Sequence, residues 1–263
     1  MANPKLIMLD LDGTLYVGHE EIHGAIAAVV QLRESGVQLR FLTNTTTKSH
    51  CQLLAQMRGL GFAIAAEELI SAPVAARLEL QALQQTLDRP LRIWPVVADS
   101  IKQDFSEFAW DELSPDYIVL GDIGEAWDLT LINRLFQAMH SGAELIALHK
   151  NRFWQTAEGL HTDIGFFVAG LEYVCSKTAR VMGKPNVDFF QRVLTSAGVK
   201  AGEALMVGDD IDSDVGGAQQ LGIKGCLVKT GKFRQAYFAQ SQVKPELVLD
   251  TIADLPRHLS VKS

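Results

Sequence analysis

The chain has 263 residues, is 48% apolar and 21% charged, and carries a formal net charge of −7. This is the make-up of a soluble globular protein with material for one large core or two modest ones. The acidity speaks against a nucleic-acid backbone as partner, and no apolar run approaches the roughly 18–20 residues that a bilayer span requires. Cys51, Cys175 and Cys226 are far apart and odd in number. With an opening Met-Ala-Asn-Pro-Lys that lacks a signal-peptide layout, they predict reduced thiols and a cytoplasmic location rather than a disulfide or zinc framework.

In chain order, aliphatic strands without strict alternation are expected at Leu6–Leu9, Gln38–Leu42, Ala204–Val207 and Cys226–Val228, the pattern of strands buried on both faces of a parallel sheet. Helical periodicity lies between them at Ala25–Glu34, Ser49–Arg58, Val187–Ala197 and Asp214–Leu221, with Gly36, Gly59, Gly198 and Gly222 as C-terminal stops. The order is that of a doubly wound α/β domain, in which ligands sit at the carboxyl ends of the strands. Between its halves the sequence predicts a helix over Pro73–Gln85 and strands at Leu91–Val97, Asp116–Asp122 and Glu144–His149. Helices over Ser100–Phe108 and Leu129–His140 separate them. This reads as a second α/β unit inserted into the first. The expected division is 1–78 and 182–263 for the outer domain and 79–181 for the insert.

Four motifs bear on chemistry. Asp10-Leu11-Asp12-Gly13-Thr14 puts two acids at the end of a core strand, where desolvation costs several kcal/mol unless the charge is paired or metal-bound. Thr43-Asn44 follows another apolar strand; alone it reads as a helix N-cap. Gly183-Lys184-Pro185 precedes a helix, and alone it reads as a turn with a surface lysine. Finally, a strand ends in Gly208 and is followed by Asp209, Asp210, Asp212 and Asp214 within six residues. Carboxylates this close repel one another, and a hard divalent cation such as Mg²⁺ is the natural compensation.

Together, in this order, the four motifs resemble the signature of the haloacid dehalogenase superfamily over essentially the whole chain. The resemblance implies a Rossmann-like core carrying an α/β cap. It makes Asp10 the nucleophile and Asp12 the general acid/base. Thr43 and Asn44 would bind the transferring phosphoryl group and Lys184 would neutralise it. Mg²⁺ would be held by Asp10, the Asp12 carbonyl and Asp209, with Asp214 holding a metal-bound water. Asp210 and Asp212 receive no role and are expected to face solvent.

The 33-residue step from Asp10 to Thr43 is too short for a helical cap, whereas the 141 residues from Thr43 to Lys184 accommodate an α/β one. That layout is similar to the C2a-capped branch, which includes N-acetylglucosamine-6-phosphate, p-nitrophenyl phosphate and pyridoxal phosphate phosphatases. The two members most similar in their motifs carry Ser where this chain has Asp12, so their substrate preferences do not transfer directly. The branch implies a Mg²⁺-dependent phosphatase acting on a small phosphorylated metabolite, with a homodimer formed through the caps.

A dehalogenase would need neither Asp12 nor the acid cluster. A phosphotransferase or mutase would share the chemistry and differ in the acceptor. A non-catalytic regulatory module would not need the intact set of Asp10, Asp12, Lys184 and Asp209. In the cap, Lys150 or Arg152 would grip a second anion and Phe153 or Trp154 would stack on a substrate; alternatively the aromatics are cap core and the cations solvated.

Overall fold

A computed structural model describes residues 4–156 and 159–259 of the chain. Contacts divide it into two units. One comprises the segments up to Thr43, Gln52–Ile70 and from Lys184 onward; the other comprises Asn44–Cys51 and Ser71–Gly183. The short stretch Asn44–Cys51 belongs to the second unit because Ser100 Oγ donates to the Thr47 carbonyl at 2.9 Å and the His50 N–H donates to Asp104 Oδ2 at 3.0 Å. Nothing in the composition of that stretch marks the exchange.

The first unit begins with β1 (Leu6–Asp10), α1 (Ala25–Glu34), β2 (Gln38–Thr43), α2 (His50–Gly59) and β3 (Leu69–Ser71). Every residue of β1 is buried, which explains its unbroken apolar run. Helix α1 buries Ala25, Ala28, Val29 and Leu32, a stripe at the helical repeat. These residues pack in one cluster with Ile7, Leu9, Leu39 and Phe41. Helix α2 ends differently from expectation. Gly59 is its last residue, and the left-handed stop is Gly61 at φ +100°. The Phe62 N–H bonds back to the Met57 carbonyl across that turn.

The second unit holds α3 (Ala72–Gln84), β4 (Arg92–Val96), β5 (Ala109–Trp110), β6 (Tyr117–Leu120), α4 (Leu129–His140), β7 (Glu144–Ala147), the hairpin β8 (Phe153–Thr156) and β9 (Gly159–Thr162), α5 (Gly165–Cys175) and β10 (Arg180–Val181). Its sheet has the order β10-β7-β6-β4-β5, parallel throughout. The helix expected over Ser100–Phe108 is only a turn at Asp99–Lys102 and a tighter one at Gln103–Phe105. The chain must straighten at Ala109 to add the edge strand β5.

The first unit resumes with α6 (Val187–Ala197), β11 (Ala204–Gly208), β12 (Lys224–Val228), α7 (Gln235–Gln240) and β13 (Leu247–Leu249). Its sheet order is β13-β12-β11-β1-β2-β3. Strand β1 is parallel to both β11 and β2, so the strand order reverses there, at the position where doubly wound sheets bind ligands. The helix expected over Asp214–Leu221 starts earlier. A wide π turn spans Ile211–Gly216, and only Gly217–Gln219 continue as α-helix. Two contacts fix this: Asp210 caps the turn, and a Cβ on Gly217 would stand 2.7 Å from the Pro185 Cα. No helix among the described residues is long and apolar enough to cross a membrane.

Candidate active site

Register places the functional groups. Asp10 ends β1 beside Leu42, and Leu9 pairs with Val207. Two parallel neighbours therefore bring Thr43 and Asp209 to the sheet edge where Asp10 emerges. Thr43 is buried there; Asn44, the next residue, is half-buried and belongs to the second unit.

Three carboxylates meet at this edge. Asp10, Asp209 and Asp214, all buried, each offer an oxygen within 4.8 Å of the others. Lys184 inserts among them: its Nζ donates to Asp10 Oδ1 and, at 2.6 Å, to Asp214 Oδ1. The lysine whose motif, taken alone, reads as a surface turn is thus buried. Desolvation opposes its charge, but Asp10 and Asp214 more than offset this and hold its pKa above the ordinary lysine value. Thr14 Oγ1 donates to the other oxygen of Asp10 at 3.2 Å.

Burial pushes the Asp209 carboxyl up to about 6, with the charge of Asp10 acting in the same direction. Burial likewise pushes Asp214 up to about 7, against the pull of Lys184. Asp214 also accepts the Asp210 N–H at 3.1 Å, and a Cβ on Gly208 would stand 2.1 Å from its Oδ2. The glycine before Asp209 is therefore the seat of Asp214.

Asp12 is exposed on the loop after β1 and its side chain is outside this carboxylate cluster. The loop closes through the Gly13 N–H to the Tyr16 carbonyl at 2.7 Å. Tyr16 carried no sequence signal, yet it is buried beside the acids. Its phenol is pushed up to about 12 by burial, then by Asp12 and Asp10.

Of the two aspartates given no role, Asp210 is placed differently from the solvent-facing expectation. Asp210 is half-buried, and its Oδ1 accepts the N–H groups of Asp212 and Ser213 at 3.1 and 3.0 Å. Asp212 is exposed and accepts the Tyr237 hydroxyl at 2.5 Å. In the second unit, Lys150 is held by Glu172 at 2.5 Å and Arg152 is exposed. Phe153 and Trp154 lie on β8, and their side chains fall outside the described residues.

The donor set suits a hard divalent cation: three buried carboxylates against one ammonium leave uncompensated negative charge, and all the ligand atoms are oxygens. Glycine makes the approach possible. A Cβ on Gly13 would stand 2.2 Å from Asp209 Oδ2, and one on Gly231 2.1 Å.

Comparison with known proteins agrees with this arrangement. A family model described as haloacid dehalogenase-like hydrolase matches residues 7–110, and one described as HAD-hydrolase-like matches residues 181–255. The chain is 35% identical to the human phospholysine phosphohistidine inorganic pyrophosphate phosphatase over 97% of its own length and 93% of that protein. It is 36% identical to the human haloacid dehalogenase-like hydrolase domain-containing protein 2, over 97% and 95% respectively. Its fold matches that of a p-nitrophenyl phosphatase from Archaeoglobus fulgidus with a TM-score of 0.86 at 22% identity, covering 98% of this chain and 100% of the other.

Proposed function

The chain belongs to the haloacid dehalogenase-like hydrolases, and we propose that it is a Mg²⁺-dependent phosphatase acting on a small phosphorylated metabolite through an aspartyl phosphate on Asp10. The observation that supports this most is Lys184, buried and bonded to Asp10 and Asp214 beside Asp209. A carboxylate attacking a phosphate dianion must overcome charge repulsion, and a buried ammonium at the attacking group lowers it. Asp10, Asp209 and the Asp12 carbonyl would hold Mg²⁺, with Asp214 supporting them, and the ion would supply further screening of the same charge.

Asp10 attacks phosphorus, the bond to the leaving oxygen breaks, and Asp12 gives that oxygen its proton. Asp12 then takes a proton from water, which attacks phosphorus and releases Asp10 and inorganic phosphate. Dividing one displacement into two lowers each barrier. An exposed Asp12 beside a buried Asp10 suits this division: the first exchanges protons with the leaving group and water, and the second is hydrogen-bonded to the Lys184 ammonium. Thr43 and Asn44 bind the transferred phosphoryl group.

The leaving-group chemistry extends from phosphomonoesters to a phosphoamide or pyrophosphate, in keeping with what the 35%-identical relative is named for. A panel of phosphorylated metabolites, a phosphoamino acid and pyrophosphate, assayed for phosphate release with Mg²⁺ and with chelator, tests the reading. Metal-independent release, or none from any substrate, refutes it.

The same reading includes a second copy of the chain paired through the second unit. Helix α5 exposes Phe166, Ala169, Gly170, Tyr173 and Val174 along one face, at the spacing of a helix stripe. None of these side chains is charged, so two copies of an acidic protein can meet there without like-charge repulsion.

A further inference from the structure

The orientation of Asp209 is not set by its own strand. Strand β11 ends at Gly208, and the Asp209 carboxylate lies against two glycines from distant segments, Gly13 at φ +91° and Gly231 at φ +51°. The Lys232 N–H donates to Asp209 Oδ2 at 2.6 Å. Two residues earlier, the half-buried Thr230 hydroxyl donates to the Gly13 carbonyl at 2.5 Å. The Lys232 ammonium lies 3.3 Å from Asp210 Oδ2. Asp210 in turn caps the turn that carries Asp214. One tripeptide, Thr230-Gly231-Lys232, thus touches the nucleophile loop, the Asp209 carboxylate and the cap of the Asp214 turn.

We propose that Thr230–Lys232 is the positioning loop of the metal site. This rests on the assignment of Asp209 to Mg²⁺ made above. An isolated carboxylate rotates and presents either oxygen. Here Oδ2 is occupied by a hydrogen bond to a charged acceptor, among the stronger kinds, and is confined by two glycines. The carboxylate is thereby held in one orientation at the acid cluster. The Thr230 hydroxyl fixes the spacing between the Gly13 loop and Gly231, so the residues flanking the nucleophile and the metal acid move as one body. The loop acts through Asp209 and touches no reacting atom. Groups that orient metal ligands in this way are worth about 10–100-fold in affinity.

The test is Mg²⁺ binding measured by calorimetry on the full chain without substrate, for the parent, Thr230→Val, Thr230→Ser, Gly231→Ala and Asp209→Asn. Far-UV circular dichroism in chelator verifies that each is folded. Thr230→Val keeps the shape and removes the donor, whereas Gly231→Ala puts a methyl where Asp209 Oδ2 stands. Both are expected to weaken Mg²⁺ binding by about 10–100-fold. Thr230→Ser, which restores the donor, should bind like the parent, and Thr230→Val should recover its turnover at saturating Mg²⁺. If Asp209→Asn loses Mg²⁺ while Thr230→Val and Gly231→Ala bind it like the parent, the positioning loop is refuted and the metal assignment stands. If Asp209→Asn itself binds like the parent, the metal assignment falls and the loop's role with it.

Discussion

Replacing Lys184 by Met removes the ammonium that bridges Asp10 and Asp214 while keeping a similar side-chain length. Two unit charges 4.8 Å apart, the limit of the carboxylate cluster, repel by about 3.5 kcal/mol at an effective dielectric of 20. Without Lys184 or metal, three ionised carboxylates cannot persist at that spacing, so the variant must take up protons. Deleting one partner of a buried ion pair costs about 3–5 kcal/mol.

That full cost is expected at pH 8, where the solution supplies few protons. At pH 5.5, below the values of about 6 and 7 reached by Asp209 and Asp214, a proton takes the place of the ammonium and the cost should fall by more than half. Urea unfolding of the parent and Lys184→Met in chelator at both pH values measures this, provided the denaturant slope is unchanged. Turnover should be lost at either pH. Equal destabilisation at pH 8 and 5.5, or none at pH 8, would refute the electrostatic account of the cluster.

Asp10→Asn should abolish phosphate release and leave the far-UV spectrum unchanged; more than trace turnover in the purified variant would remove Asp10 as nucleophile. Asp12→Ser should lower turnover by about 10²–10⁴-fold, less for p-nitrophenyl phosphate than for an alkyl phosphate, because a good leaving group needs less protonation. Asp209 and Asp214 are both raised above 3.8. The metal-free protein therefore has their full stabilisation below pH 4 and loses it as pH climbs through 6 to 7. Mg²⁺ must displace those protons, so its apparent affinity should rise over the same interval and level off by pH 8; a flat calorimetric profile contradicts this. Val174→Lys on α5 should shift a dimer to monomer in sedimentation velocity at constant turnover, and an unchanged sedimentation coefficient would dismiss the pairing.

The parts of the site legible in the sequence were those in which side-chain type and backbone position coincide. Strands β1 and β11 read clearly because burial on both faces demands an unbroken apolar run, and an acid at its end then stands out. The role of the Thr230–Lys232 loop was illegible for the opposite reason: its contribution is a main-chain N–H, a missing Cβ and a hydroxyl, none of which has a sequence period. Helix α5 was missed because Phe166, Tyr173 and Val174 are exposed while Val168 and Leu171 are buried, so apolar residues occur on both faces and no amphipathic contrast remains. The helix expected from Asp214 failed because the pattern of a helix does not reveal a π turn. Here the turn is set by Asp210 and by the close approach of Gly217 to Pro185.

The sheet order has a consequence for how the protein is made. Strand β1 precedes the other strands of its sheet along the chain, yet it is central, and its neighbour β11 lies nearly 200 residues downstream. At about 5–20 residues per second of translation, β1 waits roughly 10–40 s for that partner. The residues Ser71–Gly183 are nearly a self-contained segment and emerge whole in the interval. The fully apolar Leu6–Leu9 is therefore the stretch that a ribosome-associated chaperone would have to shield longest. Arrested nascent chains ending before Ala204 should crosslink to such a chaperone through β1, and those long enough to expose Val228 outside the tunnel should not.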